Sequence, residues 1–295
     1  MKYVLTGSVG NISKPLAQQL IAAGHDVTII STNESKKKEI EQLGAKAAIG
    51  DVNDIAFVAQ TFKGADAAYV MIPPTWAPED WPAHMKQVAD NYVAAIKESG
   101  IKKVVQLSSI GAHLGYGAGP INGLAYFEKQ LDKLENVDVL SLRPSYFYTN
   151  LFAMADLIRN AGIMGSNFGA ADGNLVLTHP ADIADAAAQR LLSLDFNGHI
   201  HQYVSSDVRT LAEVAETIGN AIGKPGLPWI SFSDEEAYNG MLGAGLTKTI
   251  ADGYLEMGQG IQSGILQEDY FSSGATPQGK VKLEDFAKDF AIAFV

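Results

Sequence analysis

Along the first half of this chain, short β-branched apolar runs take turns with stretches of helical period. Only a few folds accept that alternation, because a brief strand apolar on both faces must be covered on both, and helices between successive strands do the covering. The strands predicted are 2–6, 27–30, 47–49, 67–71, 104–107 and 139–142, with helices at 12–23, 35–43, 55–62, 79–99 and 122–134. Gly24, Gly44, Gly64 and Gly100 each close a helical run, where a left-handed cap favours glycine. The expectation is an α/β fold: a doubly wound parallel sheet with a smaller mixed C-terminal substrate lobe.

After Arg143-Pro144 the rhythm changes. Residues 146–161 read as aromatic and helical, a Gly/Ser/Asn stretch leads to a strand at 175–178, and a helix follows at 180–194 with proline in its first turn. A strand at 201–204 re-enters the sheet, a helix spans 210–222, and Leu283, Phe286, Ala287, Phe290 and Ala291 make one apolar helical face near the end. The expected organisation is a dinucleotide-binding core over 1–145, completed by about 175–205, and a substrate lobe from 146–174 and 206–295.

Between the first strand and the first helix stands TGSVGNIS, residues 6–13. A backbone that turns sharply at Gly7 and approaches a pyrophosphate at Gly10 needs residues without Cβ, and the helix N-terminus then supplies N–H donors. Thr6, Gly7, Ser8, Val9, Gly10, Asn11 and Ile12 are therefore expected to hold a dinucleotide. Ser13 stands where a third glycine would allow close helix-to-strand packing. Cofactor choice is read at the end of the second strand, where an NAD-specific site places a carboxylate. That strand runs instead into Ser31, Thr32 and Asn33, with no acid before Glu34 and with Lys36, Lys37 and Lys38 after it. A 2′-phosphate would meet hydroxyls, an amide and ammonium groups, so NADP(H) is preferred and NAD(H) stays possible. The other reading of the lysine triplet is a solvated helix face.

From these residues onward the sequence resembles the NmrA-like branch of the atypical short-chain dehydrogenase/reductase superfamily. The likeness rests on TGSVGNIS together with GDVND at 50–54, MIPP at 71–74, QLSSIGA at 106–112, LRPSYFYTN at 142–150 and HPADIADAAA at 179–188. The resemblance implies that Asp51 and Val52 lie on the adenine side, with capping of the next helix as the other reading of Asp51. It also implies that Met71, Ile72, Pro73 and Ser108 line the cofactor. Relatives often carry an arginine where this chain has Thr32 and a lysine where it has Lys36.

Active short-chain reductases resemble one another in a Ser, a Tyr and a Lys four residues after the Tyr, a proton donor with its pKa lowered by a cation. Ser108 and Ser109 are here, but four residues after Tyr126 comes Gln130, and no lysine lies between Ser109 and Lys129. Apolar positions 124, 127, 131 and 134 put Tyr126 on the face opposite the core. Ser109, His113, Tyr116 and Tyr126 are the catalytic candidates, and the glycine-rich loop at 113–123 is a candidate lid. Trp76, Tyr146, Phe147 and Tyr148 are expected to wall a substrate pocket suited to a flat acceptor, although aromatics there would equally serve packing.

Composition closes other classes. There is no cysteine, which removes thiol chemistry, disulfides and thiolate metal sites, and points to no oxidising compartment. His199 and His201 share a strand face without a third ligand at a metal-binding spacing, so no metal is expected. The net charge of −11 disfavours nucleic acid, and no segment reads as a membrane span or a secretory signal, so a cytoplasmic protein is expected. Two functions follow: an NADP(H)-dependent oxidoreductase passing hydride to a small flat acceptor such as a quinone, or a non-catalytic NADP(H) sensor acting through a regulatory protein partner. A homodimer is compatible with either.

Overall fold

The computed structural model describes residues 1–75 and 80–294. By contact density the chain divides into two units, one of Met1–Ser109, Gly123–Arg143 and Ile183–Gln202, the other of Ile110–Asn122, Pro144–Asp182 and Tyr203–Val295.

The first unit is built from β1 (Lys2–Leu5), α1 (Ser13–Ala22), β2 (Asp26–Ser31), α2 (Lys37–Gln42), β3 (Lys46–Ile49), α3 (Ile55–Phe62), β4 (Ala67–Val70), α4 (Trp81–Ser99), β5 (Lys103–Leu107), most of α5 (Ile121–Leu131) and β6 (Asp138–Pro144). Pairings of β1 with β2 and β4, of β2 with β3, and of β5 with β4 and β6 are all parallel. The helices stop and start where backbone chemistry requires. Asp54 and Asp80 accept from the amides of Phe57 and Ala83 to cap α3 and α4, each cap worth about 1 kcal/mol. Glycines 24, 44, 64 and 100 are all at positive φ, between 73° and 88°, as expected of left-handed stops. Along α4, Trp81, Met85, Val88, Tyr92 and Ala95 recur at helical spacing and are buried.

The second unit contains β7 (Tyr146–Phe147), α6 (Ala155–Ala161), β8 (Met164–Ser166) and β9 (Asn174–Thr178). Next come α7 (Pro180–Ser193) and β10 (His199–Val204), which mostly return to the first unit. The second unit resumes with β11 (Asp207–Thr210), α8 (Leu211–Ala221), β12 (Trp229–Ser231), α9 (Asp234–Gly243), α10 (Lys248–Gln262), α11 (Glu268–Ser272) and α12 (Leu283–Phe294). One small sheet runs β11-β9-β7 and another pairs β12 with β8. Leu283, Phe286, Ala287 and Phe290 of α12 are buried as their spacing foretold, while Ala291 is half-buried.

The large sheet runs β10-β6-β5-β4-β1-β2-β3. This is the doubly wound order, with a seventh strand added beside β6. The order reverses between β1 and β4, and in such sheets ligands bind beyond the strand C-termini at that reversal.

Three local expectations need correcting. Residues 146–161 are not one helical stretch: Tyr146 and Phe147 pair in register with Leu177 and Thr178 of β9, a 3-10 turn covers Tyr148–Met154, and only then does α6 begin. Aromatic side chains suit a half-buried strand, and a partner strand was at hand. The helix expected over 35–43 is instead a 3-10 turn at Glu34–Lys36 followed by α2, with the Asn33 side chain accepting from the Ser35 amide. The helix expected from Glu79 starts at Trp81, and Glu79 itself lies outside the described residues.

Candidate active site

The switch point of the large sheet is occupied by the turn after β1. Gly7 has φ +90°, and a Cβ there would stand 2.5 Å from the Met71 sulfur and 2.6 Å from the Ser13 hydroxyl. Only glycine fits both the backbone and the space. Ser13, in the third fingerprint position, donates its hydroxyl to the Thr6 carbonyl at 2.7 Å, so the serine ties helix to strand instead of spacing them apart. Thr6 in turn accepts the Met71 amide at 2.9 Å on its Oγ1, joining the loop after β1 to the loop after β4. Gly10 has ordinary φ; its Cβ would meet only the Gly7 carbonyl, at 3.1 Å. Its bareness keeps that side open, and Gly10 is exposed.

Lys14 N–H bonds Gly10 and Leu16 N–H bonds Ile12, so α1 begins at this loop. The amides of Val9, Asn11 and Ile12 meet no acceptor among the described residues. A cluster of free N–H groups at a helix N-terminus, over a turn that excludes side chains, fits a pyrophosphate.

The end of β2 is tied to the same loop. Ser8, at φ +55°, donates its amide to the Ile30 carbonyl at 3.1 Å and its hydroxyl to Ser31 at 2.9 Å. Ser31 is buried, whereas Thr32 and Asn33 are exposed. Lys36 contacts Glu39 at 3.0 Å, and the same carboxylate holds Lys14 at 2.9 Å. Asp51 is exposed and accepts both the Asn53 amide and its side chain. The cap of α3 is Asp54, not Asp51. Val52 and Ile72 are buried, and Pro73 is half-buried.

At the other end of the expected cofactor track, Ser108 follows β5 and is buried. Its hydroxyl donates to Glu128 of α5. Glu128 also receives both arms of Arg143, 3.0 Å from Nε and 2.6 Å from Nη2, with both side chains almost wholly enclosed. Buried charges must be paired, and this bidentate geometry pairs them. Ser109 is half-buried.

Tyr126 points away from this network. Its phenol donates to both oxygens of Asp90 on α4, at 2.9 and 3.2 Å, and Lys86 Nζ sits 5.7 Å from its ring centroid. The Asp90 carboxylate pushes the phenol above its ordinary pKa, which makes it a weaker proton donor.

In the second unit, His113 and Tyr116 stand on the glycine-rich loop and are exposed, Tyr116 at 79%. Gly115 and Gly117 flank Tyr116 at φ +76° and +67°. The far side of the loop is fastened: Glu256 of α10 accepts from the Gly119 amide at 2.7 Å and from Asn122 at 3.1 Å. Gly119 lies so close to the Gly253 carbonyl that no Cβ could stand there. The loop expected as a lid is thus exposed at its tip and fastened at its base.

Of the expected pocket aromatics, Trp76 lies outside the described residues. Tyr146 packs edge-on against Phe168 at 5.4 Å, and Phe147 beside it is half-buried. Tyr148 does not wall a pocket. It is 0% exposed, donates to Asp207 at 2.6 Å and stacks on Phe286 at 5.3 Å, so packing is the role it has. Among the described residues no group of His, Asp or Glu side chains could hold a metal, and no helix is long and apolar enough to cross a membrane.

Reading the sequence missed Lys14, Glu39, Glu128 and Arg143. Two carried signals: Glu39 is three residues after Lys36 on a helical stretch, and an arginine inside the apolar strand VDVLSLRP demands a buried acid.

Comparison with known proteins agrees with this geometry. Residues 7–140 match the family model described as NAD(P)H-binding. The chain is 23% identical to an NAD(P)H azoreductase of Xenophilus azovorans, over 99% of this chain and 98% of that protein. Its fold is similar to that of a nucleoside-diphosphate-sugar epimerase from Staphylococcus aureus, with a TM-score of 0.81, 19% identity, and 98% and 100% of the two chains covered. It is similar also to an NADPH-dependent quinone oxidoreductase from Escherichia coli solved with NADPH, with a TM-score of 0.76, 20% identity, and 97% and 99% covered. The doubly wound α/β fold expected from the sequence is thus the fold these solved structures share, and residues 7–140 of this chain match an NAD(P)H-binding domain.

Proposed function

We propose that this chain is an NADP(H)-dependent oxidoreductase that reduces a small flat acceptor such as a quinone. The observation that carries the reading is the pairing of a formed phosphate loop with the lack of a tyrosine-lysine acid. The free amides of Val9, Asn11 and Ile12 would take the pyrophosphate, and Gly7 and Gly10 keep side chains out of its way. Ser31, Thr32, Asn33 and Lys36 would flank the adenosine ribose, with no carboxylate at the strand end to favour a free 2′-OH. When bound, the nicotinamide supplies a hydride. The chain's own proton donors are weak: Tyr126 is committed to Asp90, and Ser108 to Glu128. An acceptor that takes hydride readily and draws its proton from water suits such a site better than a plain carbonyl, which needs a strong general acid. Tyr116, His113, Tyr146 and Phe147 are the side chains proposed to meet the acceptor. The resemblance to an azoreductase and a quinone oxidoreductase supports the same class. Sugar epimerisation fits less well, because that chemistry leans on the tyrosine-lysine pair that is missing here.

The absence of that pair also favours a second reading, a cofactor-binding sensor that acts through a protein partner. Loading the protein with NADPH and following nicotinamide absorbance against a panel of quinones, azo dyes and aldehydes separates the two. Turnover with a quinone or azo dye is expected. NADPH that binds but is not oxidised by any of them overturns the enzyme reading in favour of the sensor.

A further inference from the structure

Two lysines from different elements converge on one carboxylate beside the proposed ribose position. Lys14 belongs to the first turn of α1, four residues after Gly10, and Lys36 to the 3-10 turn after β2. Glu39 takes one on each oxygen, Lys14 on Oε1 at 2.9 Å and Lys36 on Oε2 at 3.0 Å. All three side chains are between about a third and a half exposed, so the cluster is open to a ligand. The other cations of the segment stand apart: Lys37 faces Glu34 at 3.9 Å, and Lys38 is exposed. The hydroxyl pair Ser8–Ser31 links the loop that leads to Lys14 with the strand that leads to Lys36. Both ammonium groups thus border the position where a dinucleotide's adenosine ribose is recognised.

We propose that Glu39 is a specificity-determining residue that holds Lys14 and Lys36 as a pair and competes with the 2′-phosphate of NADPH for them. This rests on the NADP(H) reading above and goes further, because it assigns the degree of preference to a residue that touches neither the pyrophosphate nor the nicotinamide. NADH leaves the Lys14–Glu39–Lys36 bridge whole. NADPH must draw both ammonium groups away from Glu39 and leave a phosphate dianion beside a carboxylate, and like charges at that range repel. Glu39 therefore narrows the advantage of NADPH and keeps NADH usable. The lysines hold the Glu39 carboxyl below its ordinary pKa, so the competitor is charged at neutral pH.

The test is equilibrium binding of NADPH, NADH, 2′,5′-ADP and 5′-AMP to the wild type, Glu39→Gln, Lys14→Gln/Lys36→Gln and the triple variant, at fixed low salt. An exposed ion pair weighs in as a factor of about 1.5 to 5, so freeing two cations is expected to tighten NADPH and 2′,5′-ADP about three- to tenfold in Glu39→Gln. NADH and 5′-AMP are expected to change less than about twofold. The triple variant should lose the gain, which shows that it runs through the lysines. Equal tightening of all four ligands would make Glu39 a general source of repulsion and overturn the proposal. So would unchanged or weaker NADPH binding in Glu39→Gln, since Glu39 would then be needed to position the lysines. A wild type that binds none of the four fails the cofactor reading itself, which is a different result from binding without a change in selectivity.

Discussion

Glu128→Ala removes the carboxylate that pairs Arg143 within the core of the first unit. The two side chains are 9% and 11% exposed and meet through two bonds of 2.6 and 3.0 Å, and Ser108 adds a third on the same oxygen as Nε. The variant leaves a guanidinium without its bidentate acceptor in a place water reaches poorly, for which about 3–5 kcal/mol is the usual cost. That is a large share of a domain's total of about 5–15 kcal/mol. At about 2–4 °C per kcal/mol, the melting temperature should fall by between about 6 and 20 °C. Glu128→Leu combined with Arg143→Met removes both charges and should recover most of the loss, because filling the space with apolar atoms avoids the desolvation cost. Thermal unfolding followed by circular dichroism on wild type, single and double variants reads the difference. A single variant melting within about 2 °C of wild type would refute the reasoning, as would a double variant no better than the single, since either means that the pair is not what the enclosed guanidinium depends on.

Three further outcomes are expected. Gly10→Asp should abolish NADPH binding in titration, by placing bulk and negative charge beside the free amides of Val9, Asn11 and Ile12 that lead into α1; unchanged affinity would move the phosphate site elsewhere. Tyr126→Phe should leave any reductase rate within a few-fold, since its phenol is held by Asp90, whereas a loss of about a hundredfold would make it the acid. Burial holds the His179 imidazole below its ordinary value of 6.5, against the opposing pull of Asp182 and Asp289. Its contribution to stability is then complete above about pH 6.5 and is lost as pH falls through the folded value, because the unfolded chain takes up the proton first. His179→Gln should flatten that part of a stability-versus-pH curve, and an unaltered slope would assign the acid sensitivity to other groups.

The parts of this molecule legible in the sequence are those set by local rules. Alternating apolar runs and glycine stops read out the strands and most of the helices of the large sheet, since each was fixed by near neighbours: a terminal Gly100, a Leu16 one turn from Leu20. The glycine turn between β1 and α1 was legible for the same reason. Pairings across the chain were hidden. Nothing near Glu128 announces Arg143, fifteen residues on, and nothing near Lys14 announces Glu39. Tyr148 looked like a pocket wall because an aromatic beyond a strand end suits that role; its assignment to the interior depended on Asp207 and Phe286, far along the chain. The strand at Tyr146–Phe147 was missed likewise, because two residues carry no period and their partner lies thirty residues away.

The order in which the large sheet receives its strands bears on how the chain is made. Six strands are in place by Pro144, but β10, which lies beside β6, begins only at His199. On a ribosome adding about 5–20 residues per second, the intervening fifty-odd residues take roughly 3–10 s, during which the backbone edge of β6 has no neighbour. The amide of Val139, bonded to Gly198 in the finished protein, is among the groups left waiting. Such an edge invites strands from other nascent chains. A fragment cut near residue 145, where the sequence changes rhythm, would carry that edge permanently. The dinucleotide-binding half is therefore poorly suited to separate production, and the return of residues 183–202 is what makes its sheet safe in company.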